Sequence, residues 1–416
     1  MPDDVYRCTN NITEREKLMT TKNAPLSNVP NVPTRILMGP GPSDAHPRVL
    51  QAMMSHMIGY LDKDFMLILD EVSALLKNVF LTKNNLTLAL SGTGSSGMEA
   101  GLSSLLEPDD TVIICANGFF SERMIDMATR IGANVIALKS EWGKPFPPEL
   151  LEQELANHNN VKLVTAIHAE TSTGILQPLD DLSKLTKDNE ALFMVDAVTS
   201  LGGQRVAVDE WNIDYCYSAT QKCLGCPPGL SPAALSPKAH EIIKNRTHKP
   251  VSWYLDLALI ANYWGFDHVY HHTAPVSMIL GLREGLRIVL EEGLETRFHR
   301  HSKNASALAA GLEALGLDLV APEKFRLPQI TPVWIPDGID DGQVRQALLE
   351  EYGIEIGRGL GQFANKVWRI GLMGESSKPE YIYTLLAALE SILPRMGYEI
   401  TKGSGVAAAS EFLSTI

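Results

Sequence analysis

Along the first two thirds of the chain, short apolar runs alternate with stretches whose apolar residues recur every three or four positions. The runs at residues 86–90, 111–116, 134–138, 163–167, 192–195 and 215–218 have the length and composition of buried strands. Stretches such as 122–131 and 148–157 carry the period of amphipathic helices. This alternation predicts a mainly parallel sheet covered by helices on both faces, because parallel neighbours need a crossover between them. The pattern changes after residue 275, where helical spacing runs on to about residue 315. Beyond it, strands near 330–335 and 367–372 and a helix near 380–393 predict a smaller α+β body. The expected division is an arm and loop over 1–44, a large domain over 45–300, a small domain over 301–398 and a tail over 399–416. Pro25, Pro30 and Pro33 keep the first 33 residues from forming a helix. The small residues of 405–409 read as a loose end.

Composition narrows the class. With 416 residues, 45% hydrophobic and 20% charged, the chain has the make-up of a globular protein with a large core. Its formal net charge of −13 argues against nucleic acid or an anionic membrane surface as the main partner. An anionic ligand therefore needs a local cationic site. No apolar run reaches the length of a membrane span. Asp3, Asp4, Glu14 and Glu16 are unlike a signal or transit peptide, and Ser414-Thr415-Ile416 is not the simple peroxisomal tripeptide, so the cytoplasm is the expected compartment. The five cysteines, Cys8, Cys115, Cys216, Cys223 and Cys226, are scattered, as in a reducing compartment. Cys223 and Cys226 have CxxC spacing, but no second pair exists and Pro227-Pro228 follows, so packing is the better reading. His271 and His272 lack the HExxH pattern, and as neighbours they are expected to point apart, so no metal site is expected.

Candidate chemistry gathers where the apolar runs end. The first strand runs into Ser91-Gly-Thr93-Gly94-Ser95-Ser-Gly-Met-Glu99, with a helix starting inside the run. Free N–H groups at a helix start suit phosphate. The run also satisfies G-x-G-x-x-G, but the next strand ends in Cys115-Ala-Asn117-Gly118, without the acid a dinucleotide fingerprint places about 20 residues on. An ordinary tight turn is the third reading. Phe119 or Phe120 could stack on a flat ring or belong to the core. His168-Ala-Glu170-Thr171-Ser172-Thr173-Gly174 ends another strand with hydrogen-bonding groups, of which Thr171 suits a ring hydroxyl or phenolate.

Three charged residues sit inside otherwise uncharged surroundings. Asp196 ends Phe193-Met-Val-Asp196, where a lone carboxylate is costly unless paired. Lys222 lies in Ala219-Thr-Gln221-Lys222-Cys-Leu-Gly225, a setting that disfavours the charged amine and favours nucleophilicity. An amine for a covalent imine and a carboxylate to keep a pyridine nitrogen protonated are what pyridoxal phosphate (PLP) requires. Arg369, in Val367-Trp-Arg369-Ile-Gly371, suits bidentate binding of a carboxylate, with a structural ion pair as the alternative.

These motifs, with Gly39-Pro-Gly-Pro-Ser43, Ser200-Leu-Gly-Gly203, Pro227-Pro-Gly229 and Tyr270-His-His-Thr273, resemble the class V aminotransferases of fold type I. Within them the chain is most similar to the alanine–glyoxylate (serine–pyruvate) group, over residues 35–393. The resemblance implies an α/β fold, with a mainly parallel seven-stranded sheet in the large domain and a smaller α+β domain. It implies PLP bound covalently by Lys222, which also shuttles the proton, with Asp196 at the ring nitrogen, Thr171 at the ring oxygen and Phe120 stacked on the ring. Thr93, Gly94, Ser95 and Gln221 would hold the phosphate, joined by Tyr270 and Thr273 from the neighbouring subunit of a homodimer. Arg369, with Gly41 and Ser43, would bind the substrate carboxylate in ping-pong transfer from L-alanine or L-serine to glyoxylate.

Two positions depart from the group: Phe120 stands where tryptophan is frequent, and Asp44 where asparagine is frequent. A carboxylate at 44 would repel that of the substrate unless it points away. Serine–pyruvate, hydroxykynurenine and ureidoglycine–glyoxylate transamination are the alternatives within the family. The last is disfavoured by Tyr60 and Tyr270, where that subgroup uses amide side chains. A nicotinamide-dependent oxidoreductase is disfavoured by the missing acid, a cysteine desulfurase by the lack of any cysteine after Cys226, and a silent scaffold by the intact Lys222, Asp196 and Arg369 set.

Overall fold

The computed structural model of the protein describes residues 32–415, so the arm expected over residues 1–33 lies almost wholly outside the described residues. Thirteen strands follow in order: β1 (Ile36–Met38), β2 (Leu86–Ser91), β3 (Thr111–Ala116), β4 (Asn134–Lys139), β5 (Val161–Ile167), β6 (Ala169–Glu170), β7 (Ile175–Leu176), β8 (Leu192–Asp196), β9 (Tyr215–Tyr217), β10 (Leu230–Leu235), β11 (Ile330–Trp334), β12 (Ile354–Arg358) and β13 (Val367–Gly371). Seven of them form one sheet in the order β2-β10-β9-β8-β5-β3-β4. All its pairings are parallel except the two made by β10. This is the α/β architecture the alternation predicts.

Burial explains which strands read clearly. β8 (Leu-Phe-Met-Val-Asp) is buried throughout and β3 nearly so, because helices cover both faces. β4, at the edge, is only partly covered. The register of β5, β8 and β9 sets the ends of the central strands level: Ile167 pairs with Asp196, and Asp196 with Tyr217. Side chains at these carboxyl ends therefore converge, as ligand sites in parallel sheets do.

A second sheet, β1-β12-β13-β11, has its own core of Met38, Leu308, Val333, Trp368, Ile370 and Leu386, separate from the core of the large sheet. One expectation is sharpened here and one is corrected. The helical pattern from 275 to 315 is two helices, Val276–Glu292 and Leu294–Ala314, divided at Gly293 with φ +83°. That backbone conformation suits glycine and ends the first helix. Nor are the last residues loose: Ser404–Ser414 is a helix with Ala409 fully buried. The Glu390 carboxylate holds its start, accepting from the backbone N–H of Gly403 (2.8 Å), Gly405 (2.9 Å) and Val406 (3.3 Å). Acids stabilise helix N-termini through these free donors and the positive dipole end. Gly405 reads as flexible in isolation, but it gives room: a Cβ there would lie 2.9 Å from Leu315 Cγ and 3.1 Å from the Gly311 carbonyl oxygen. Among the described residues, no helix is long and apolar enough to cross a membrane.

Replacing Glu390 with Ala strands three backbone donors. We expect a loss of about 2 kcal/mol in unfolding free energy and release of the last dozen residues to protease under native conditions. A chain whose C-terminal helix resists digestion as before would contradict this account of its anchoring.

Candidate active site

A cavity of about 120 Å³ opens at the carboxyl ends of β5 and β8, between the sheet and the helix Gly94–Leu105. Lys222, Asp196, Thr93, Gly94, Ser95, Phe120, Thr171 and Gln221 all line it. The structure thus brings together eight of the residues singled out in the sequence, from five separate segments.

The helix wall starts at Thr93, whose side chain makes no capping bond. The first N–H groups of a helix have no intrahelical partner, so this end offers donors. Position 94 must be glycine for the helix to approach: a Cβ there would lie 2.9 Å from Val198 Cγ2. Across the cavity, Gln221 has its side-chain Oε1 buried without a partner.

Asp196 is 4% exposed. Its Oδ1 accepts from the Val198 N–H (2.8 Å) and its Oδ2 from the Tyr217 hydroxyl (2.5 Å). Burial pushes its pKa up to about 6, and the Tyr217 and Val198 bonds oppose that rise. At neutral pH the carboxylate is therefore mainly ionised, with a cavity on its open side.

Lys222 Nζ donates to the carbonyl of Pro40. Burial, assisted by the positive charge of Arg369, lowers its pKa to about 8. The segment before it is fastened to the Gly-Pro-Gly-Pro loop: the Ser43 N–H donates to the Gln221 carbonyl (2.9 Å) and the Ser43 hydroxyl to the Lys222 carbonyl (2.7 Å). Gly41 adopts φ +117°, and a Cβ there would sit 2.6 Å from Lys222 Nζ. Gly41 and Ser43 thus form one wall beside the amine.

Phe120 is held by its backbone N–H, which donates to Glu170 Oε2 (3.2 Å), and by edge contact with Phe119 (centroids 5.7 Å apart). Glu170 is fully buried and accepts from the Ser172 N–H and hydroxyl at 3.0 and 2.7 Å. Burial pushes its pKa up to about 7. Arg369 lies 5% exposed beside this group, donating through Nε to the Arg358 carbonyl (2.7 Å) and through Nη1 to the Thr171 carbonyl (3.5 Å). Burial lowers its pKa to about 10, which leaves it charged at neutral pH. No carboxylate is within ion-pair distance of it among the described residues.

Tyr270 and Thr273 stand apart: both are exposed and neither lines the cavity. His271 and His272 meet rather than diverge, Nδ1 to Nδ1 at 2.7 Å, and no cluster able to hold a metal occurs among the described residues. Cys223 and Cys226 are free and buried, which raises their pKa values to about 11 and about 12. They are thiols in the packing at neutral pH, not nucleophiles. The Asp44 carboxylate is engaged by the helix Pro379–Arg395, accepting from the Tyr381 hydroxyl (2.7 Å).

Two residues of the site went unremarked in the sequence. Tyr217 ends β9 in register with Asp196, a pairing that needs the strand order to be known. Arg123 lies one helical turn after Phe119 and Phe120 in the helix Phe119–Ile131, a spacing that puts it on their face.

Comparison with known proteins places this geometry. The chain belongs to the aminotransferase class-V family, which it matches over residues 36–369. It is 41% identical to the alanine–glyoxylate aminotransferase of Callithrix jacchus, covering 87% of this chain and 88% of that one. Among solved structures, it is similar to ureidoglycine–glyoxylate aminotransferase from Bacillus subtilis (41% identity, TM-score 0.91, covering 93% and 100%). It is also similar to alanine–glyoxylate aminotransferase from a Nostoc species (44% identity, TM-score 0.87, covering 93% and 100%). The protein is therefore a transaminase, which displaces the dinucleotide reading of the 92–97 run.

The lowered pKa of Lys222 has a direct readout. Only the neutral amine attacks an aldehyde, and its fraction grows as pH rises, reaching half at about 8. Reductive alkylation with an aromatic aldehyde and cyanoborohydride, followed by peptide mass spectrometry, should label Lys222 with a midpoint near that pH, well below the roughly 10.4 of ordinary lysines. A Lys222 midpoint near 10.4 would contradict the assigned environment.

Proposed function

We propose that this protein is a PLP-dependent aminotransferase that moves the amino group of L-alanine, or L-serine, to glyoxylate, yielding glycine. The observation that carries the reading is the pairing, in one cavity, of a buried lysine amine lowered to about 8 with a buried, doubly hydrogen-bonded carboxylate. The donor set fits PLP. A helix start lined by Thr93, Gly94 and Ser95 suits its phosphate, and Gln221, which lines the same cavity, carries an amide NH2 able to donate to it. Thr171 would meet the ring oxygen and Phe120 would cover the ring.

When bound, the cofactor supplies a pyridinium ring that accepts the electron pair left as the substrate Cα–H bond breaks. Asp196 keeps the proton on the ring nitrogen, and Tyr217 with the Val198 N–H keeps Asp196 ionised and aimed. Lys222 Nζ takes the Cα proton and returns it. Its depressed pKa leaves about a tenth of the amine neutral at pH 7. Arg369 holds the substrate α-carboxylate, with Gly41 and Ser43 closing that side. Because Asp44 is engaged by Tyr381, it leaves the carboxylate site to Arg369. Donor and acceptor use one carboxylate site, so each product leaves before the next substrate binds.

The working unit is a homodimer. Met57 (67% exposed), Trp253 (59%), Phe266 (98%) and Tyr270 (52%) lie on adjoining segments, tied by the stacking of Trp253 on His271 and by Tyr60 against Tyr270 at 5.4 Å. An exposed apolar cluster of this kind marks an interaction face. A second copy would cover it, with Tyr270 and Thr273 reaching the neighbouring phosphate site. Sedimentation should give twice the chain mass of 45.6 kDa.

Absorbance tests the chemistry. The visible band of the lysine-bound cofactor should fade with L-alanine and return with glyoxylate, and Lys222→Ala should abolish turnover. A band that ignores alanine and serine but responds to hydroxykynurenine or (S)-ureidoglycine moves the donor within the family. The ureidoglycine outcome is the less expected, since Tyr60 and Tyr270 offer phenols rather than amides. A protein that stays colourless with added PLP overturns the reading.

A further inference from the structure

Arg123 lines the same cavity as Lys222 and bridges two of its walls. Its Nη1 donates to the Ser95 hydroxyl oxygen (3.0 Å), and its guanidinium carbon lies 4.9 Å from the centre of the Phe120 ring. Among the described residues, Ser95 is its one hydrogen-bond partner, and no carboxylate forms an ion pair with it. A guanidinium carries five N–H donors in a fixed fork, so most of its capacity is unused. An arginine at a cavity wall with a free fork is a receptor for an oxyanion.

The charge of the expected ligand sharpens this. A phosphate monoester near neutral pH bears between one and two negative charges, against roughly half a charge from a helix start. The net charge of −13 provides no attracting field, so the balance must come from a local cation. The other two cations of the site are engaged elsewhere: Lys222 with the Pro40 carbonyl, Arg369 with the carbonyls of Arg358 and Thr171. Arg123 alone touches the helix start. Its bond to Ser95 has a second effect. Once the Ser95 oxygen accepts from Arg123, the hydroxyl proton is left to turn toward another acceptor.

We propose that Arg123 is a phosphate-binding residue of this subunit, supplying the cation that offsets the cofactor phosphate and turning Ser95 into a donor toward it. This rests on the PLP assignment above and goes beyond it, because it assigns the phosphate charge to a residue within the chain itself. It also gives a reason for the pairing with Phe120: one side chain fixes both the ring-stacking wall and the phosphate wall, so the two ends of the cofactor are placed by a single group.

The test compares Arg123→Gln and Arg123→Lys with the unmodified enzyme, each stripped of cofactor, by titration with PLP and separately with pyridoxal, which lacks the phosphate. Binding is read from the visible band and from fluorescence quenching. Arg123→Gln should weaken PLP by roughly 10- to 100-fold, the loss expected for a charge-assisted contact. Arg123→Lys should recover part of it, and pyridoxal should change by less than about threefold. Equal weakening of PLP and pyridoxal would show that Arg123 acts only by packing on Phe120, and would overturn the proposal. So would unchanged PLP binding by Arg123→Gln. If the unmodified enzyme binds neither aldehyde, the functional reading falls first and this inference with it.

Discussion

A carboxylate almost wholly withdrawn from water must be satisfied by the protein, and the rest of this site is arranged around meeting that need for Asp196. One bond comes from its own turn, the Val198 N–H, and one from the neighbouring strand, the Tyr217 hydroxyl. The second exists only because β8 and β9 end in register. A slip of one residue would turn Tyr217 to the other face and leave the acid short of a donor. The parallel register is therefore a chemical requirement as well as a packing outcome. It also fixes the level at which Thr171, after β5, and the Lys222 turn, after β9, can meet.

Glu170 shows the same logic one layer back. It is fully buried, yet it ties together the Thr171–Ser172 turn and the helix that presents Phe120, through bonds to Ser172 and the Phe120 N–H. Gly118 makes this contact possible, since a Cβ there would lie 2.3 Å from Glu170 Cγ. Arg369 then sits against the Thr171 carbonyl. Phe120, Thr171 and Arg369, the proposed ring wall, ring-oxygen residue and carboxylate anchor, are thus joined through one buried acid.

The elements that could be read from the chain are those whose burial leaves a plain signature. β3, β5 and β8 are largely covered on both faces and so appear as mainly apolar runs. β10 was hidden because Leu230-Ser-Pro-Ala-Ala-Leu235 mixes proline with small residues. Those small residues are there because a helix crosses close by: a Cβ on Gly97 would fall 2.2 Å from Ser231 Oγ. The C-terminal helix was misread for a related reason, since its glycine and alanines serve contact rather than looseness. At the site, Lys222, Asp196 and Arg369 stood out because charge inside apolar sequence demands a partner. Tyr217 and Arg123 did not, because a buried tyrosine and a helical arginine look ordinary until the strand order and the cavity wall are known. The roles of Tyr270 and Thr273 came from family resemblance alone.

Two successive residues of the Gly-Pro-Gly-Pro loop face opposite allegiances. Ser43 is bonded to the backbone of Gln221 and Lys222, on the large sheet's side, while Asp44 is bonded to Ser376 and Tyr381, at the edge of the smaller body. Between these anchors lies a single peptide link, which cannot stretch. The mouth of the cleft is consequently geared: the smaller body cannot swing outward without pulling Ser43 from the lysine turn or breaking the Asp44 clasp. Motion at the rim and the setting of the amine are, in mechanical terms, one degree of freedom.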